Sequence, residues 1–137
     1  MNSKETAARN TMARINRLCW DLNIPECELE ICKMYRAVCR YWSGSNKIQL
    51  DLESCTSSPS PLGPSHTLTA DAVVYHEFGH HLIHYDVIGT AKVAVTLYAT
   101  TNANERTCEA LMVYMLDPEY FKLVDADTYK HFKEILK

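Results

Sequence analysis

The sequence has no apolar run approaching a membrane span, no strong block of like charge and no C-x-x-C pair. The first absence excludes a spanning helix. The second, with a formal net charge of -3, leaves no electrostatic footprint for nucleic acid or for an anionic membrane surface. The N-terminal Met1-Asn2-Ser3-Lys4-Glu5-Thr6 lacks the apolar core of a secretory signal. The chain therefore reads as soluble, with the cytoplasm favoured over secretion of a processed form. Six cysteines, at 19, 27, 32, 39, 55 and 108, are even in number but lack the pairing and density of a disulfide scaffold. Reduced, mostly buried thiols are expected, and no spacing gathers four of them into a cysteine-ligated zinc site. At 137 residues the chain fits one domain with a real core. Residues 1–68 supply a helix plus a sheet, and residues 69–137 supply a central helix and a helical C-terminal part.

What is present is concentrated in His76-Glu77-Phe78-Gly79-His80. Apolar residues at 70, 73, 74, 78, 82 and 85 recur at helical intervals and predict an amphipathic helix over 69–85, with Thr69 as N-cap and Asp71 in the first turn. Residues four apart share a helix face, so His76 and His80 can converge on one ion. Glu77 is turned about a quarter circle away, where it can take a proton from water rather than bind the metal. Zinc is the cofactor this spacing implies.

In chain order, Ala8, Met12, Ile15, Leu18, Cys19 and Leu22 line one face of a helix from Ser3 to about Asn23, ended by Pro25. Residues 27–42 fit both periods and are read as strand. Ser43-Gly44-Ser45-Asn46 then leads into Lys47–Glu53 as the second arm of a hairpin. A sheet edge along 47–53 would let a protein or peptide partner bind as one more extended strand. Residues 54–65, rich in proline and serine, form a connecting loop, and His66 is a spare candidate ligand. After the central helix, Val93, Ala94, Leu97 and Tyr98 predict a helical face within 90–101. Further helices are expected from about Asn102 to Leu116, Pro118 to Val124 and Asp125 to Leu136.

A catalytic zinc takes three protein ligands and keeps one position open. Glu105, 25 residues after His80, begins Glu105-x-x-x-Glu109 on a helix. Its partner Glu109, one turn on, can accept the second ring N–H of a ligand histidine, an arrangement characteristic of gluzincins. Asp86, six residues after His80, is the alternative third ligand, but the glycine such a turn requires is replaced by Ile83. His84 lies too far along the helix to close on the same ion.

His76-Glu77-Phe78-Gly79-His80 followed by Tyr98-Ala99-Thr100-Thr101-Asn102-Ala103-Asn104-Glu105 resembles the catalytic domain of the anthrax-toxin lethal-factor-like metallopeptidases, which include the Pro-Pro endopeptidases. Tyr98, Thr101 and Asn102 carry the match between the two motifs, and the resemblance covers roughly residues 70–136. It implies an α+β zincin-like (minigluzincin) domain with a small antiparallel sheet and a C-terminal helical subdomain. It also implies a zinc endopeptidase with metal ligands His76, His80 and Glu105, Glu77 as general base and Tyr98 supporting the oxyanion. The reading from another class is a zincin fold kept as a catalytically silent or single-substrate regulatory binding module.

Overall fold

The computed structural model describes residues 2–56 and 68–136, and its first element is fixed by a cap at each end. Helix α1, Ser3–Leu22, opens on Asn2, whose side chain accepts the Glu5 N–H at 2.8 Å. It closes on Asn23 in the left-handed conformation (φ 57°), whose N–H donates to the Cys19 and Trp20 carbonyls. This C-cap, rather than Pro25, terminates the helix. Its buried stripe of Ala8, Met12, Ile15 and Cys19 keeps the expected helical spacing.

The stretch 27–42 is not one strand. It forms β1, Glu28–Ile31, and β2, Cys39–Trp42, separated by a turn in which Arg36 takes φ 60°. Strand β3, Lys47–Leu50, pairs antiparallel with β2 as the hairpin expectation requires, but parallel with β1 on its other side. The sheet is therefore mixed, of order β1-β3-β2, where an antiparallel one was expected. The cause lies in Asp51. Its carboxylate accepts the Met34 N–H (3.2 Å), the Glu53 N–H (3.2 Å) and the Ser54 hydroxyl (3.2 Å), while its own N–H donates to the Val38 carbonyl (2.9 Å). These bonds fold residues 32–38 across the end of β3 and leave β1 on its far flank. A second correction follows: β3 is central, so residues 47–50 have no edge to offer a peptide, and the edges belong to β1 and β2.

Helix α2, Ala70–His84, carries the paired histidines. Thr69 stands at the N-cap position without a capping side-chain bond; it bridges Thr56, and Asp71 accepts the Ala72 N–H at 2.8 Å. The expected amphipathic helix is instead enclosed nearly all round. Val74, Phe78 and Leu82 are fully buried, but so or almost so are Tyr75, His76, Glu77 and His81. A helix buried on every side is the centre of a core, and each polar group on it needs a partner. Helix α1 and the sheet pack on it, and α3 packs along its length.

The helical face expected within 90–101 is absent except for a short 3-10 turn at Tyr98–Thr100. Side chains from elsewhere claim the backbone here. Thr107 accepts the Ala91 N–H (3.0 Å), Asp125 accepts those of Lys92 (3.2 Å) and Val93 (3.0 Å), and Arg106 donates to the Ala91 carbonyl (2.7 Å). Such tertiary bonds replace the helical ladder that the spacing suggested. Helices α3, Ala103–Leu116, α4, Pro118–Val124, and α5, Ala126–Ile135, lie where expected. Asp117 and Asp125 cap the last two, and Phe121 stacks on Phe132 with ring centroids 5.9 Å apart. The fold is α+β, with five helices and a small three-stranded sheet among the described residues. No helix among them is long and apolar enough to cross a membrane. All six cysteines are free, four buried and two half-buried. Residues 57–65 of the proline- and serine-rich loop, and His66, lie outside the described residues.

The approach of α2 to α3 is set by Gly79. A Cβ there would stand 2.8 Å from the Cys108 Cα and 3.0 Å from its Sγ. Because the nearest atom is backbone, the helices would have to part. Gly79→Ala is expected to destabilise the protein by about 1–3 kcal/mol despite the better helix propensity of alanine. Cys108→Ala should restore only part of this, as measured by urea denaturation of the single and double variants.

Candidate metal centre

The close helix pair turns one face of α2 towards the first turns of α3. Asn102 caps α3 by accepting the Glu105 N–H at 2.8 Å, and this fixes the start of the helix that carries Glu105 and Glu109. Before it, the Thr101 hydroxyl donates to the Tyr98 carbonyl at 2.7 Å and tightens the turn that presents the Tyr98 ring. The Thr-Asn pair thus acts through the backbone: one residue holds the tyrosine turn, the other starts the glutamate helix.

The expected ligands converge. His76 Nε2 lies 3.0 Å from Glu105 Oε2, and His80 Nε2 lies 2.8 Å from Glu105 Oε1. The two imidazole centroids are 5.4 Å apart, and the Tyr98 ring is 5.7 Å from that of His76. Behind His76, Nδ1 meets Glu109 Oε2 at 2.6 Å, and the other Glu109 oxygen accepts the Thr96 hydroxyl at 2.8 Å. Glu109 is fully buried. A carboxylate held this firmly keeps Nδ1–H as the donor when the ring is neutral, with Nε2 turned to the cleft. Thr96 also accepts the Ala99 N–H at 3.2 Å, coupling Glu109 to the tyrosine turn. Nothing in the pattern of the sequence marked Thr96, because its role depends on a contact across 13 residues.

Glu77 lies on the cleft wall, 9% exposed, close to the backbone of Tyr41 in β2. Burial pushes its carboxyl above the usual carboxylate range, against the opposing pull of His76 and His80. Burial would lower the His76 pKa, but Glu105 and Glu109 more than offset it and raise it to about 10. Burial likewise opposes ionisation of Glu105, yet its bonds to His76 and His80 hold it well below the usual range. Tyr98, half-exposed, is raised to about 12 by burial and by the adjacent Glu105 carboxylate.

Two imidazoles are thus enclosed by the carboxylates of Glu77, Glu105 and Glu109, an excess of negative charge that a divalent cation neutralises. Two nitrogen donors and one carboxylate suit zinc better than magnesium or calcium. The structure also places a residue that the sequence reading passed over. His76, His80 and Cys108 form a group whose ligand atoms lie within 4.8 Å of one another, a set able to hold a metal ion. Its signal was positional, since Cys108 falls three residues after Glu105 on the same helix. The Cys108 thiol is pushed up by burial and then by Glu105, Glu77 and Glu109, so a metal taking this set would have to displace its proton. Asp86, the alternative third ligand, is exposed past the end of α2 at φ 54° and does not line the cleft. His84 is exposed and lines the outer part of the cleft.

His81, next to the candidate ligand His80, is fully buried and serves the scaffold. Its Nε2–H donates to the Pro25 carbonyl at 2.7 Å, which leaves Nδ1 to accept the Tyr41 hydroxyl at 2.7 Å. This ties β2 to α2 beside the cleft. With this geometry in hand, comparison with known proteins adds no relative: no family model, curated protein or solved structure matches the chain.

The two candidate sets separate experimentally. Glu105→Gln is expected to weaken zinc binding strongly, Glu109→Gln by about 10–100-fold, and Cys108→Ala little, as read by chelator competition. Cobalt-loaded protein should lack a thiolate-to-metal charge-transfer band in the near ultraviolet. A strong band lost in Cys108→Ala would instead make the cysteine a ligand.

Proposed function

We propose that the protein is a zinc-dependent endopeptidase of the gluzincin type, with His76, His80 and Glu105 as metal ligands and a zincin-like arrangement of its helices. The observation that carries this reading is the meeting of both histidine Nε2 atoms with one carboxylate, at 3.0 and 2.8 Å, beside a buried glutamate. The resemblance of the two motifs to the lethal-factor-like metallopeptidases supports the same assignment.

A zinc ion held there would act as a Lewis acid that brings the pKa of water towards neutrality and polarises a carbonyl. Glu77 takes a proton from the attacking water and passes it to the leaving amine. A carboxyl raised by burial suits both transfers, because its affinity for the proton lies nearer neutrality. Tyr98, its hydroxyl protonated at neutral pH, donates a hydrogen bond to the oxyanion that develops on the carbonyl. Glu109 and Thr96 hold His76 in register throughout.

The substrate backbone binds along the edge of β2 rather than along residues 47–53. Cys39 and Tyr41 of that strand line the cleft, and β3 covers only its other side. An extended peptide added there lays its scissile carbonyl beside Glu77 and Tyr98, with main-chain hydrogen bonds supplying register.

Glu77→Gln keeps size and polarity but removes basicity, so bound zinc should remain at one per chain while peptide hydrolysis falls by several orders of magnitude. Elemental analysis and peptide digestion on one preparation check both. Tyr98→Phe should lower kcat about a hundredfold with KM little changed and zinc retained. A fall in melting temperature with unaltered kcat would make the tyrosine a packing residue.

A further inference from the structure

The cleft has two unlike halves that share Cys39, His76, Glu77 and Tyr98. One, about 470 Å³, is polar, with Arg40, Ser43, His84 and Asn104 on its walls. The other, about 390 Å³, is lined by Ala37, Val38, Leu68 and Val73, with Arg36 at its margin. A cavity of that size and character takes a bulky apolar side chain.

The chain through β2 runs from the apolar half towards the polar one, since Ala37 and Val38 line the first and Arg40, Tyr41 and Ser43 the second, with Cys39 between them on both. A peptide added antiparallel, the slightly more stable ladder, runs the other way. The residue after its cleaved bond then faces the apolar cavity, and the following residues pass Arg36.

Arg36 is exposed, and its guanidinium lies over the Tyr35 ring at 5.1 Å. No ion pair among the described residues engages it. Its backbone holds φ 60°, a conformation that non-glycine residues adopt uncommonly. That turn sets the cation at the cavity margin, beside apolar walls that screen it less than open water does. An arginine fork also matches a carboxylate in shape.

Resting on the peptidase reading, we propose that Arg36 determines specificity: among peptides whose residue after the cleaved bond fills the apolar cavity, the cleft selects those with a carboxylate immediately beyond it. That carboxylate comes from Asp or Glu, or from the peptide's own C-terminus.

The test uses zinc-loaded protein and a proteome-derived peptide library, followed by matched peptides that differ only at the downstream position. Glu is expected to exceed Gln by about fivefold in kcat/KM, mostly through KM, with the ratio shrinking in high salt. A free C-terminus against its amide, with Gln downstream, separates the second source of the carboxylate from the first. Arg36→Glu should invert the preference, and Arg36→Met should bring the two peptides level. Arg36→Gly, which suits the positive φ, should do the same and so separates lost charge from a distorted turn. Cleavage with the same acid preference in wild type and Arg36→Glu, or none in wild type, overturns this inference and leaves the peptidase reading standing. No cleavage of any peptide by zinc-loaded protein overturns both.

Discussion

The contact of Gly79 with Cys108 sets the distance between the two helices on which the site depends. Side chains of ordinary size would hold helix axes about 8–10 Å apart. Here a hydrogen on Gly79 faces the Cα of Cys108, so α2 and α3 approach closely along the segment that carries His76, His80, Glu105 and Glu109. Only at that separation can one carboxylate reach the Nε2 atoms of both histidines. The glycine inside the paired-histidine motif is therefore a packing residue with a chemical consequence. It brings no side chain to the cleft, yet without it the two histidines and Glu105 would stand farther apart.

The polar groups brought together by that approach are costly to bury and are held by one another. Glu109 has no solvent contact and is engaged through both oxygens, by His76 and by Thr96. Removing either partner would leave a buried charge poorly compensated, a larger loss than that of the bond itself. The network is also directional. It fixes the His76 ring from behind, while Asn102 fixes the helix start from which Glu105 projects. Rigidity at His76 and Glu105 comes from neighbours that do not line the cleft.

Adjacent residues on a helix point about 100° apart, and α2 uses that angle at His80 and His81. One imidazole faces the cleft; the other is sealed between Tyr41 and the Pro25 carbonyl. The sealed ring holds β2 through the Tyr41 hydroxyl, and the backbone of Tyr41 lies close to Glu77. The edge of the sheet is thus tied to α2 beside the cleft.

The sequence by itself determined the helices at 3–22, 70–84, 103–116, 118–124 and 126–135, within a residue or two. Their apolar spacing and their Asn, Asp and Pro caps are local, and local signals survive without tertiary context. It also marked His76, Glu77, His80, Glu105, Glu109 and Tyr98, because spacing along a helix and the Tyr-to-Glu motif are visible in one dimension. Tertiary structure alone decided the rest. The break of 27–42 at Arg36 carries no glycine, proline or asparagine, and it exists because Asp51 takes the Met34 N–H. The same bond set put β3 between its neighbours and made the sheet mixed. Residues 91–93 lost their expected helix to Thr107 and Asp125, which are distant in sequence. Thr96 and Cys108 became site residues only when two helices closed to within the width of a glycine. Periodicity reports which face of an element is apolar, but a hydrogen bond from a remote side chain has no period, and it is such bonds that decide where this chain turns.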